Sequence, residues 1–362
     1  MPIAFEQFNN FRAAEMEQAR EIAKSFSPEI NLPIAIGSHF GRLPLMELCG
    51  DKEVTHKEGK LKLLLDLGAD PNVLEKYYGS PLMQSLKYDA GAEFIKILLD
   101  AKADINLPDD SGETAVFVAV EHRRFDDLRT LLSRGGKLNH KANNGKTVLT
   151  EEIERKEPSL DVVKLLIELG ADINAAKALH AAFRGRGRAL DIAPTLIELG
   201  ADINAKYDDG TSPLALAVSV TECPISTIAM LVNAGAVIDS IDAKGMTPLL
   251  CAAKSGHTEA VKFLLECKAS LTHCDAEGKS ALHWCCKSGN AVIVPFLVNA
   301  GAELNIQDKA DSDRGGNNGG RTPLMYAVRR GNVTKALLKF GPDVNVVDKK
   351  EQSALMLALA GY

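Results

Sequence analysis

A period of about 33 residues runs through this chain and limits what it can fold into. The strings LLLDLGADPN, ILLDAKADIN, LLIELGADIN, TLIELGADIN, MLVNAGAVID and FLVNAGAELN recur along it. The residue before the Ala-Asp step, Gly or its stand-in, falls at Gly68, Lys102, Gly135, Gly170, Gly200, Gly235, Lys268, Gly301 and Gly341. Successive spacings are 34, 33, 35, 30, 35, 33, 33 and 40. Nine such units imply one supersecondary element stacked on itself, because a single small unit cannot bury its apolar face alone.

Each unit follows one grammar. A Gly turn leads into Ser/Thr-Pro-Leu, as at Gly79-Ser80-Pro81-Leu82, Ser212-Pro213-Leu214, Thr247-Pro248-Leu249 and Thr322-Pro323-Leu324. The hydroxyl can cap a helix, and Pro suits the first helical position because its missing N–H is not needed there. A short Ala-rich helix is predicted next, for example Leu249 to Ser255. A turn such as Gly256-His257, Gly289-Asn290 or Gly331-Asn332 follows, then a Leu-rich second helix ending at Gly, which accepts a left-handed C-cap. Six residues before each stop stand Lys62, Lys96, Arg129, Lys164, Pro194, Ala229, Lys262, Pro295 and Lys335, a mostly basic and hence outward slot. The two prolines are expected near the start of their helices, where a lost N–H costs least.

These units resemble ankyrin repeats, and the resemblance covers most of the chain. Asp242 to Thr272, DAKGMTPLLCAAKSGHTEAVKFLLECKASLT, carries the Thr-Pro-Leu signature, and the next unit keeps the signature His at His283. The resemblance implies an all-α repeat solenoid with short β-turn fingers, in which fingers and first helices line a partner-binding face. On that basis 1–36 is a degenerate N-terminal capping repeat, 37–345 nine ankyrin-type repeats, and 346–362 a C-terminal half-repeat cap. For the last segment, either Leu355 to Ala360 caps the array or the natural protein continues.

Departures from the period mark irregular places. The usual ten residues from the closing Asn to the opening Leu shrink to five between Asn174 and Leu179, so the finger near 175–179 is missing. Between Asn305 and Leu324 they grow to 19, a nine-residue insertion within 308–321. The turns at Gly50–Lys60, Lys156–Leu160 and Thr221–Ile225 are also long. The missing finger predicts a weak joint. At the N-terminus, Phe5, Phe8, Phe11, Met16, Ala19, Ile22, Ala23 and Phe26 fall at mostly helical spacing.

Composition narrows function. At 46% hydrophobic and 25% charged residues, the chain is not disordered throughout. A formal net charge of −6 argues against a general nucleic-acid coat. No signal peptide is visible and no apolar run spans a bilayer, so no membrane insertion is expected. Seven cysteines without framework spacing read as reduced thiols of a cytoplasmic protein. The repeats leave no room for a catalytic domain, and neither cofactor nor metal is expected. Cys251, His257, Cys267, His273, Cys274, His283, Cys285 and Cys286 lack any Cys-x-x-Cys pair; Cys251, Cys285 and Cys286 stand in small-residue helix slots. Asp308, Asp311 and Asp313 fail the calcium-loop template, with Gly315 and Thr322 where acceptors belong.

A non-catalytic interaction scaffold or adaptor with a protein partner is therefore expected, monomeric alone or a subunit of a hetero-complex. Two settings stay open: a larger cytosolic or cytoskeletal assembly, or a secreted microbial effector capturing a host protein. Candidate contacts are Tyr77, Tyr88, Glu113, His122, Arg155, Asp209, Lys244, Met246, Lys254, Lys279, Lys287, Arg321 and Arg329. The competing class is an anion or nucleic-acid binder using a basic ridge of turns, Arg123, Arg124, Arg184, Arg186, Arg188 and Arg330. The charge balance makes nucleic acid the weaker of the two.

Overall fold

The computed structural model describes residues 5–25, 29–31, 35–36, 39–40, 43–50, 54–174, 177–184, 189–309 and 319–360. Among these the chain forms 21 α-helices and one two-stranded hairpin. It divides into two compact units, Met1–Glu152 with Lys164–Asp172, and Ile153–Val163 with Ile173–Tyr362.

The first unit opens with α1 (Phe5–Ala13) and α2 (Met16–Lys24), broken apart at Ala14. They bury Phe8, Phe11, Ala19 and Ala23, while the side chains of Phe5 and Phe26 lie outside the described residues. The hairpin β1 (Ala35–Ile36) and β2 (His39–Phe40) follows as the opening finger and runs across the expected 36/37 boundary. Three helix pairs come next: α3 (Pro44–Gly50) with α4 (Lys57–Asp66), α5 (Pro81–Lys87) with α6 (Ala92–Asp100), and α7 (Ala115–Glu121) with α8 (Phe125–Ser133). The boundary between the units runs through the pair α9 (Val148–Ile153) and α10 (Leu160–Glu168).

The second unit continues with α11 (Ala178–Arg184) and α12 (Ala189–Glu198), α13 (Pro213–Ser219) and α14 (Ile225–Asn233), and α15 (Pro248–Ser255) and α16 (Thr258–Glu266). Then come α17 (Ala281–Ser288) and α18 (Val294–Asn299), α19 (Pro323–Ala327) and α20 (Gly331–Leu338), and a lone α21 (Ala354–Leu359). First helices stack on first helices, α13 on α15 on α17 on α19, and second on second, α12 on α14 on α16. Helices of five to ten residues are too short to persist alone in water, so this stacking is what holds them. The first helices are sandwiched: α7 buries every residue from Ala115 to Val120. That explains why they are rich in small and β-branched apolar residues.

Local chemistry punctuates the repeats as the sequence indicates. Ser80, Ser212, Thr247, Ser280 and Ser353 accept N–H bonds from the third residue of their helices at 3.3 to 3.4 Å. Each such cap contributes about 1 kcal/mol. Thr114 and Thr322 occupy the same place without a side-chain cap bond. Where a repeat closes on Asn, that side chain staples it to the next. Asn106 donates through Nδ2 to the Gly135 carbonyl at 3.1 Å and accepts the Lys137 N–H at 2.9 Å. Asn204 repeats this with Gly235 and Val237 at 3.0 and 2.9 Å. An amide side chain supplies both donor and acceptor, which explains Asn at this position.

One expectation is corrected. Pro194 is the sixth of ten residues in α12, inside the helix and not near its start. Pro295 lies in the first turn of α18, because residues 291–293 form a turn and the helix begins late at Val294. In α21, Leu355, Met356 and Leu359 are 67%, 54% and 69% exposed. The body of the insertion, 310–318, lies outside the described residues.

Candidate functional site

The last fingers of the second unit are built around a buried aspartate. Asp275 Oδ1 accepts the N–H groups of Glu277 and Lys279 at 3.0 and 2.8 Å, closing the turn. Its second oxygen accepts the indole N–H of Trp284 at 2.8 Å. The next repeat uses the same device: Asp308 Oδ1 accepts the Arg321 N–H at 2.8 Å and Oδ2 accepts the Tyr326 hydroxyl at 2.6 Å. One carboxylate thus folds a finger and fixes an aromatic ring on the first helix. Successive fingers are joined by backbone bonds, Ala243 N–H to Asp209, Ala276 N–H to Lys244, and Lys309 N–H to Glu277, at 2.9, 3.0 and 2.8 Å.

Lysines gather on these rings. The Nζ atoms of Lys254, Lys287 and Lys279 stand 4.5, 4.9 and 5.6 Å from the Trp284 ring centre. Lys287 and Lys279 also reach Tyr326, at 5.9 and 6.0 Å. Cation–π attraction is worth roughly 0.5–2 kcal/mol per contact, depending on desolvation. His283 lies edge-on to Tyr326 at 5.8 Å, and its Nε2 meets the Arg321 carbonyl at 2.9 Å. Burial holds the His283 pKa below its ordinary value. It serves as a structural bridge between fingers.

The candidates from the sequence divide by placement. Lys244, Lys254, Lys287 and Arg329 are exposed on this face. Lys279 and Met246 are corrected: both are buried, at 0% and 5% exposure. Lys279 is sequestered between two rings and ion-paired with Glu277, and Met246 packs under its finger. Arg321 is half-buried with Nε 3.6 Å from Asp348, and exposed Asp209 accepts the Thr211 N–H at 3.0 Å. In the first unit Tyr77 is 83% exposed at a finger tip, whereas Tyr88 and Glu113 are half-buried. His122 closes α7, 3.9 Å from Glu121. Arg155, in the second unit, is half-buried in the turn after α9.

The basic ridge loses much of its charge to ion pairs. Arg123 binds both oxygens of buried Glu152 at 2.8 and 3.0 Å, and Arg124 pairs with Asp127 and Asp89. Arg184 lies 4.8 Å over the Tyr207 ring, Arg330 is exposed, and Arg186 and Arg188 lie outside the described residues.

Sequence reasoning missed Trp284 and Tyr326. Both stand two residues after the signature Leu, at Leu282 and Leu324, where neighbouring repeats carry Cys251 and Leu216. Aligning the repeats in register shows two aromatic residues in one slot.

The chemistry available here is recognition. Burial pushes the thiols of Cys285 and Cys251 up to about 12 and about 11. Such thiols stay protonated and poorly nucleophilic at neutral pH. Among the described residues no group of three His, Cys, Asp or Glu side chains could hold a metal ion. No helix of the described residues is long and apolar enough to cross a membrane.

Comparison with known proteins agrees with this architecture. The family model for ankyrin repeats matches three stretches, 45–142, 214–308 and 309–362. An ankyrin repeat protein of Acanthamoeba polyphaga mimivirus is 34% identical over 104 residues, 26% of this chain and 17% of that protein. An ankyrin repeat and KH domain-containing protein of Caenorhabditis briggsae is 31% identical over 160 residues, 42% of this chain and 6% of that protein. The matches thus span less than a fifth of either relative's length. Ankyrin repeats generally mediate protein–protein interaction and are generally non-catalytic. With matched segments over more than half of its length and finger, helix pair and Asn staple recurring in register, the chain belongs to the ankyrin-repeat family.

Proposed function

We propose that this protein is a non-catalytic scaffold that binds a partner protein through the finger and first-helix face of its last repeats, centred on Trp284 and Tyr326. The observation that carries this reading is the pair of rings pinned by Asp275 and Asp308. A ring whose edge is fixed loses little entropy on binding, and Trp and Tyr dominate interface energetics for that reason. Exposed Lys254 and Lys287 border the rings and supply charge at the rim. The single-sided arrangement suits one dedicated partner better than a general anion binder, since Arg123 and Arg124 of the ridge are already paired.

The test is affinity capture from native cytosol with the wild-type chain, Trp284→Ala, and Lys254→Glu/Lys287→Glu, with bound proteins identified by mass spectrometry. The expected result is one dominant protein retained at moderate salt by the wild type and lost from both variants. Retention by both variants would place the interface elsewhere. The charge variant covers the case in which Trp284→Ala folds poorly, because both lysines are exposed.

A further inference from the structure

On the first helices of the last repeats the exposed charges five residues after the opening leucine have one sign and recur once per repeat. Lys254, Lys287 and Arg329 each stand five residues after the signature leucines Leu249, Leu282 and Leu324. In earlier repeats the same slot holds Lys87, Glu121, Glu154, Arg184 and Ser219, so the last three repeats are where cations follow one another without a break. All three cations are exposed, and among the described residues none forms an ion pair with a carboxylate. The acidic groups nearby are turned inward. Asp275 and Asp308 are 6% and 5% exposed and are engaged by finger amides and by the ring donors. Glu277 is paired with Lys279.

The lysines also bridge repeats. Lys254 of one repeat lies on Trp284 of the next, and Lys287 lies on both Trp284 and Tyr326. The rings therefore array ammonium groups and are covered by them. A nucleobase would have to displace a lysine to stack there, whereas a carboxylate can approach the outer side of each ammonium. Stacked helices are about 10 Å apart. An extended polyproline II segment advances about 3.1 Å per residue with three residues per turn, so every third side chain shares one face at roughly the spacing of one repeat.

We propose, resting on the scaffold reading above, that this face binds an extended acidic peptide segment of the partner, with carboxylates at every third residue. Those carboxylates meet Lys254, Lys287 and Arg329 in turn. Apolar atoms of the segment lie along the Trp284 and Tyr326 ring edges. Electrostatic complementarity of this kind sets register and partner choice as much as affinity.

Trp284 is the single tryptophan of the chain, so its emission reports on this face alone. The experiment titrates the full chain with a synthetic peptide carrying glutamate at every third position and serine between. The controls are a peptide of the same composition with its glutamates adjacent, and one with lysine replacing glutamate. The expected result is a saturable change in Trp284 emission, strongest for the spaced peptide and weakening as salt rises. Lys254→Glu/Lys287→Glu should bind at least about tenfold more weakly. Lys62→Glu/Lys335→Glu, which reverses exposed lysines on second helices, should bind as the wild type does.

An equal response to the lysine or adjacent-glutamate peptide, or no response at all, would overturn the proposal. So would tighter binding of a single-stranded oligonucleotide that is lost in the same variant, which would make nucleic acid the occupant. The two readings fail separately. If the spaced peptide does not bind but Trp284→Ala still loses the captured partner, only the acidic-segment proposal falls. If both variants retain the partner, the scaffold face falls and the acidic proposal with it.

Discussion

The repeat at Asp275–Asn305 and the one at Ile173–Asn204 use the same pair of helices but are joined to their neighbours by different chemistry. The former carries a finger whose backbone bonds to the fingers on either side, through Ala276 N–H to Lys244 and Lys309 N–H to Glu277. In the latter the sequence leaves no room for a finger: α11 starts at Ala178, four residues after Asn174, and 175–176 lie outside the described residues. There the joint is made by side chains. Lys177 pairs with Asp208 at 2.5 Å, His180 meets the Thr211 carbonyl at 3.1 Å, and Tyr207 packs on His180 at 4.8 Å. Where the backbone makes the joint, first-helix side chains such as Trp284 and Lys287 remain available for a partner. Where side chains make the joint, the polar and aromatic groups Lys177, His180 and Tyr207 are committed to structure.

The helices should hold both repeats alike. Leu196→Ala in α12 and Leu264→Ala in the regular helix α16 each remove a fully buried side chain. Each should cost about 2–5 kcal/mol, read from urea unfolding. A much smaller loss for Leu196→Ala would show that the finger-less repeat opens before the rest. Native-state hydrogen exchange sharpens the same contrast. Amides of Ala178–Arg184 should exchange faster than those of Pro248–Ser255, since α11 is joined to the next repeat by side chains and not by the finger-to-finger backbone bonds that flank α15. Equal protection of the two helices would remove the weak joint.

The next contrast lies between finger aspartates. Asp275→Ala strips the N–H groups of half-buried Glu277 and buried Lys279, and the Trp284 indole, of their acceptor. The expected cost is about 1–3 kcal/mol, with a shift in Trp284 emission. Asp209→Ala, at an exposed finger that accepts the Thr211 N–H, should cost less than half as much. Equal losses would mean that the buried finger is no more tightly coupled to its helix than the exposed one.

Much of the fold was legible because its determinants are local. The caps, the stop glycines and the Asn staple each depend on residues within one repeat or the equivalent place in the next, so period and spacing expose them. What escaped depends on side-chain placement. Lys279 follows a glycine and reads as a polar turn residue, yet its stem enters the space between Trp284 and Tyr326. Trp284 joins Asp275 nine residues away only because the finger folds back on the helix. Arg123 and Arg124 read as solvated turn charges, but carboxylates from neighbouring repeats reach them, Glu152 and Asp89. Pro194 fits the outward slot by register while its helix begins earlier than the slot implies.

A smaller effect separates the repeats by pH. Burial lowers the pKa of His180 in the finger-less repeat and of His283 in the regular one; hydrogen bonds to the Thr211 and Arg321 carbonyls oppose that shift. A base whose folded pKa lies below its unfolded value of about 6.5 is held neutral by the fold. Its stabilising contribution is complete above the unfolded pKa and is lost as pH falls toward the folded one. The urea midpoint should therefore drop between neutral pH and pH of about 5. His283→Gln should flatten part of that dependence. An unchanged profile in the variant would assign the acid sensitivity to His180 and to His257, which burial also shifts downward.

The smallest expected effect concerns the stop positions. Lys102 and Lys268 adopt φ of 67° and 62°, the left-handed conformation that Gly200 and Gly301 adopt at 85° and 99° in other repeats. For a residue with a Cβ this costs roughly 1–2 kcal/mol. Lys268→Gly releases that strain, while the added freedom of the unfolded chain offsets roughly 0.4–1 kcal/mol of it. A net gain of up to about 1 kcal/mol should raise the urea midpoint. Gly200→Lys tests the finger-less repeat in reverse. A Cβ at Gly200 meets nothing within 4 Å, so any loss there comes from backbone strain alone and not from a clash. Losses and gains of equal size at the two sites would show that the helix stop acts the same with or without a finger. A larger loss at Gly200 would mean that the repeat without a finger relies more heavily on its helix stop.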